Sequence, residues 1–115
     1  MGTSDLKEII RNTSVKNLFI APATTDLSSS DVDLVSNDNR TMVLKKSILK
    51  YLKNDLYFDY IIIDCPPALS LLTINALVAS ESVLVPLQAE FFALEGLSQL
   101  IMTIREVRGS LNKNI

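Results

Sequence analysis

The sequence predicts an α/β domain built on a parallel sheet of about three visible strands with helices on both faces. Three observations lead there. The apolar runs at 18–21, 60–63 and 82–87 are too uniform to have a wet face, as strands buried on both sides require. They alternate with stretches of helical period, the pattern of a parallel sheet with covering helices. A chain of 115 residues, 48% of them hydrophobic, can bury one modest core and no second one, so residues 1–115 read as a single domain.

The elements follow in order. Asp5 with Glu8 three residues later is a capping-box start, predicting a short helix through Arg11 with its acids at the positive end of the helix dipole. Residues 18–21 form an apolar run stopped by Pro22, a predicted strand. The polar loop over 24–39 holds Asp26, Ser28 and Asp31 as possible caps for a brief helix reaching Val35. Over 40–53, Leu44, Ile48 and Leu52 recur every four residues opposite Lys45, Lys46, Lys50 and Lys53, as an amphipathic helix with a solvated basic face demands. A strand over 60–63, a helix over 70–79 and a strand over 82–87 come next, with Pro86 marking where ladder pairing should end. Leu94, Leu97, Leu100, Ile101, Ile104 and Val107 mark a long last helix ended near Gly109, and Arg105 and Arg108 lie toward its negative end. There is no internal repeat.

Composition excludes several kinds of chemistry. The chain has no histidine, which removes Ser-His and Cys-His nucleophiles and the common zinc sites. Its one cysteine, Cys65, cannot close an internal disulfide, and a reducing cytoplasmic setting is expected. The apolar stretches are interrupted well before the roughly 20 residues of a membrane span. A net charge of −2 offers no broad basic field, so contact with nucleic acid would have to come from a local patch or an oligomer face. Carboxylates, backbone amides, Lys or Arg and a hard cation are what remain.

Asp64 is the first polar residue after the apolar run at 60–63. In open parallel sheets ligands bind beyond the carboxyl ends of the strands. A carboxylate there can hold magnesium through water beside a nucleoside triphosphate, the Walker B role. Pro66 and Pro67 fix φ and lack amide donors, so the chain must leave the sheet at once and hold the Asp64 loop rigid. An apolar run ending in Asp is also common without any such role, with Asp64 serving as a helix or loop cap. Cys65 reads as a small packing residue, and Tyr57, Phe91 and Phe92 read as core.

Several of these stretches occur together in a known family. The Asp64-Cys65-Pro66-Pro67 step, the run from Thr73 through Asn75 to Leu77, the Pro86-Leu87-Gln88 turn with Glu90, and Ala93-Leu94-Glu95-Gly96-Leu97 resemble the middle of the ParA/Soj chromosome- and plasmid-partition ATPases, relatives of MinD with a deviant Walker A loop. Residues 17–34 resemble it more loosely. The resemblance implies a partial P-loop NTPase-like fold whose parent binds ATP and Mg, dimerises around ATP, binds DNA nonspecifically, lies on the nucleoid in the cytoplasm, and is stimulated by a ParB-like centromere-binding protein, with no membrane partner. It makes Asp64 the catalytic, magnesium-binding acid, and Cys65, Pro66 and Pro67 the switch-like loop. It places Pro86, Gln88 and Glu90 near the nucleotide and the facing subunit. Arg105, Arg108 and Lys113 fall where the family gathers basic residues, though the same residues would simply complement a helix end.

The departures are as informative. Glycine occurs only at 2, 96 and 109 and no Gly-Lys pair exists, so the family's Gly-rich phosphate loop is not in this sequence. Without its nest of amides and its lysines a triphosphate loses most of its binding and charge neutralisation. The expectation is an internal fragment, inactive alone and binding ATP only weakly. The alternative is a non-catalytic interaction module that pairs through an exposed sheet edge and the long helix with a partner chain. A phosphoacceptor receiver-like domain also puts Asp at a strand end, but its early acidic pair and late lysine are missing: the early strand ends in Ala21-Pro22 and the late one in Pro86-Leu87.

Overall fold

A computed structural model of the chain describes residues 5–25, 27, 39–53, 57–66, 68–88 and 93–115. Along these run α1 (Leu6–Ile9), β1 (Arg11–Asn12), β2 (Phe19–Ile20), α2 (Val43–Leu52), α3 (Leu71–Ala79) and α4 (Ala93–Ser110), an α/β arrangement. The brief helix predicted to reach Val35 and the side chains of Phe91 and Phe92 lie outside the described residues.

The capping box at Asp5 and Glu8 forms, with the Asp5 amide donating to Glu8 Oε2 at 3.3 Å. The helix stops at Ile9, short of the predicted Arg11, because Arg11 is drawn into a ladder opposite Ile20. Lys50 Nζ meets Asp5 Oδ2 at 2.8 Å and ties α1 to α2. The hydrogen bond from Lys50 holds the Asp5 carboxyl below its ordinary value of 3.8, and the same bond raises Lys50 above 10.5. Asp5 therefore contributes stability that is fully present above 3.8 and lost as pH falls through its lowered value. Lys50 contributes stability that is present below 10.5 and lost as pH rises through its raised value. Lys50→Met is expected to melt slightly lower than the parent between these limits and to converge with it at either extreme. Thermal unfolding followed against pH checks this; an undiminished gap in acid would refute it. Both side chains are solvent-exposed, so the effect is small.

The predicted strand at 18–21 forms as β2, but in a different context. It pairs antiparallel with β1, in a two-stranded ladder with Arg11 opposite Ile20 and Asn12 opposite Phe19. The connection is tight: Thr13 donates its amide and its hydroxyl to Leu18 O, and Asn17 takes φ 63°, a left-handed conformation that asparagine tolerates. Leu18, Phe19 and Ile20 are exposed, not buried as a central strand would make them.

The parallel sheet expected over 18–21, 60–63 and 82–87 is not formed among the described residues. Segments 60–63 and 82–87 lie in no helix or strand and neither carries a ladder: an apolar run favours extended backbone, but a strand also needs a second one alongside to take its hydrogen bonds, and no described segment does so. The segment at 57–63 is anchored by Phe58, which stacks on Tyr51 of α2 (centroids 6.1 Å apart) and meets Phe19 of β2 edge-on at 5.6 Å. Tyr57, expected in the core, is 89% exposed: the adjacent Phe58 takes the inward position against Tyr51 and Phe19 and leaves Tyr57 facing out.

The helices hold the core. Leu77 and Val78 of α3 and Val107 of α4 are buried together, with Met42, Ile74, Ile104 and Ile115 packed around them. α2 is amphipathic, with Leu44, Ile48 and Leu52 partly covered and Lys46, Lys50 and Lys53 exposed as predicted; Lys45, placed on the same solvated face, is partly covered, and Tyr51 is the one buried residue of the helix. It starts at Val43, three residues after the predicted Arg40. No helix among the described residues is long and apolar enough to cross a membrane.

Candidate functional site

Asp64 directly follows the apolar segment 60–63 and is exposed. The apolar residues before it make an extended course favourable, and Pro66 forbids both a helix and a further ladder bond. The chain turns and enters α3 at Leu71. Thr73, buried in the first turn of α3, donates its hydroxyl to Ala68 O at 2.6 Å and fixes that turn against the helix.

Cys65 is exposed, yet its thiol is pushed up, first by the part of it that is buried and then by the negative charge of Asp64. A protonated thiol is a poor nucleophile, so of this pair Asp64 is the group with chemistry to offer. Among the described residues no group of three acidic, histidine or cysteine side chains could cage a metal. A lone exposed carboxylate suits magnesium, which keeps most of its waters and takes its other oxygens from phosphates, and does not suit zinc or an all-protein calcium cage.

The other predicted site residues are dispersed. Pro66, Pro86 and Gln88 are exposed, and no hydrogen bond or ion pair joins them to Asp64. Pro67 and Glu90 lie outside the described residues. Arg105 and Arg108 are exposed three residues apart on α4, and Lys113 is exposed just beyond it.

Three residues beyond the predicted site residues organise the helical scaffold. Asn75, buried on α3, donates to Arg40 O at 2.6 Å and to Leu71 O at 3.0 Å, and its Oδ1 accepts from the Leu44 amide at 3.3 Å. That amide is one of the donors a helix leaves without an internal partner in its first turn, so α3 caps α2. Asn112, also buried, donates to Leu77 O, Val78 O and Ser80 O at 3.1, 3.2 and 2.7 Å, closing the carboxyl end of α3. Thr73 is the third. A polar residue amid the apolar run of α3 was a legible signal for Asn75; Asn112 lies in a polar tail that offers none.

Over residues 1–115 the chain matches the family model described as AAA domain. It is 48% identical over 112 residues to the sporulation initiation inhibitor protein Soj of Bacillus subtilis, a match that takes in 97% of this chain and 43% of Soj. The chain belongs to the AAA domain family and is of the ParA/Soj type. This ParA/Soj-type chain is also 47% identical over 110 residues to the chromosome partitioning protein ParA of Myxococcus xanthus, covering 96% of itself and 38% of that protein. Among solved structures it is similar to cobyrinic acid a,c-diamide synthase from Mycobacterium smegmatis with bound ATP analog and magnesium, at 35% identity and a TM-score of 0.88, over 98% of this chain and 45% of that one. The ParA/Soj-type chain thus spans less than half the length of these relatives.

Proposed function

We propose that residues 1–115 are the Walker B part of a ParA/Soj-type ATPase that acts in chromosome or plasmid partitioning. The observation that carries this reading is an exposed carboxylate, Asp64, directly after the apolar segment 60–63 in a chain 48% identical over 112 residues to Soj. In this reading the segments at 60–63 and 82–87 are strands of a P-loop NTPase-like parallel sheet. Asp64 holds a magnesium ion through water, and Cys65, Pro66 and Pro67 form the loop that senses the nucleotide. Pro86, Gln88 and Glu90 approach the nucleotide and a second subunit. The ion, when bound, neutralises charge on the phosphates. The side chains do the rest: Asp64 orients the water shell, and Thr73 keeps the following turn in place.

Arg105, Arg108 and Lys113 are then contacts to DNA phosphates, a local patch on a chain whose net charge is −2. ATP-dependent dimerisation, nonspecific DNA binding on the nucleoid and stimulation by a ParB-like protein belong to the longer protein in this reading.

Purified 1–115 is expected to show no ATP turnover above background. Residues 1–115 substituted for the matched 112 residues of Bacillus subtilis Soj are expected to give a magnesium-dependent ATPase. A chimera that folds and binds ATP yet does not hydrolyse it would sink the reading, as would turnover by 1–115 alone.

A further inference from the structure

Among the described residues no side chain bonds the Asp64 carboxylate, so its aim is set by the backbone on either side of it. Downstream that backbone has little freedom. Ala68 lies four residues on, the ring of Pro66 fixes φ within the span, and Cys65, preceding a proline, is steered away from helical backbone. The far end of the span is pinned, because Thr73, only 6% exposed, donates its hydroxyl to Ala68 O at 2.6 Å.

Asn75 in turn holds the helix that holds this loop. It is 3% exposed, and both donors of its amide and its oxygen are used, by Arg40 O, Leu71 O and the Leu44 amide, which leaves the side chain one orientation. Two residues apart in a helix, Thr73 and Asn75 point to opposite sides, so one side of α3 takes the loop and the other takes the start of α2. The upstream flank of Asp64 meets the far end of the same helix, where Phe58 stacks on Tyr51 in the last turn of α2. Both flanks are thus referred to one rod of ten residues, about 15 Å long.

We propose that Thr73 and Asn75 are positioning residues for Asp64: Thr73 fixes where the Asp64 loop ends, Asn75 fixes α3 against the start of α2, and together they keep the carboxylate aimed at the water shell of the magnesium ion. The proposal rests on the nucleotide reading above and says how the acid is held.

The test is a double-mutant cycle in the Bacillus subtilis Soj chimera, read as ATP turnover against magnesium concentration. Thr73→Val keeps the shape and removes the hydroxyl, and is expected to lower kcat about tenfold, the scale for a group that orients a metal's ligands. It should also raise the magnesium concentration needed for half-maximal rate, and Thr73→Ser should restore most of both losses. Asn75→Ser is expected to act in the same direction as Thr73→Val, because a serine hydroxyl satisfies Leu71 O within α3 and does not reach α2. In the Asp64→Asn background Thr73→Val and Asn75→Ser are each expected to change kcat by less than about twofold, since no carboxylate is left to aim. A smaller folded fraction lowers the rate by the same factor in both backgrounds, so equal factors would overturn the proposal. A parental rate for Thr73→Val, or Thr73→Ser no better than Thr73→Val, would overturn it too, and each of these results leaves the nucleotide reading standing. Asp64→Asn at the parental rate would remove that reading, and the proposal with it.

Discussion

Asp64→Asn in the Soj chimera is expected to lower kcat roughly 10- to 100-fold, the usual cost of losing a partner that orients a metal's ligands, with a much smaller change in nucleotide affinity. The amide keeps the size and part of the hydrogen bonding but loses the charge that magnesium's water shell responds to. Raising magnesium should recover some of the loss if the carboxylate helps hold the ion. Cys65→Ser should stay within about twofold of the parent, because a protonated thiol does little chemistry. Equal rates for Asp64→Asn and the parent would remove Asp64 from any catalytic role.

Asn112→Ala is expected to destabilise 1–115 by about 2–3 kcal/mol, since buried carbonyl oxygens of Leu77 and Val78, and the Ser80 oxygen, lose their shared donor. Asn112→Asp should be worse at neutral pH, because it sets a carboxylate against those oxygens at the negative end of α3. That carboxyl would have a raised pKa in the folded state. Its penalty is then absent below the unfolded value of about 3.9 and fully present above the raised folded value. Acidification should therefore bring Asn112→Asp toward, and past, Asn112→Ala. Urea midpoints of both variants against pH measure this, and a constant gap between them would show that Asn112 does not act as a donor to those carbonyls.

The helices were legible because their signals are local. Leu44, Ile48 and Leu52 alone define the face of α2, and the run from Leu94 to Val107 defines α4. The apolar runs at 60–63 and 82–87 were legible too, but the strands read from them are not among the described elements. Pairing was not, because it depends on which strand arrives alongside: β2 finds β1 through a hairpin whose signal was only a Thr-Ser-Val-Lys-Asn turn. The rim residue Asp64 could be read from its place after an apolar run, whereas Asn112 could not, since its importance comes from carbonyls more than thirty positions earlier.

Asn75 and Asn112 reach across the molecule to main-chain atoms and not to other side chains. The identities at 40, 44, 77, 78 and 80 can therefore drift without dissolving those links, whereas 75 and 112 cannot. Over evolutionary time the joints would be inherited from one side only, so two asparagines would outlast the neighbours they hold.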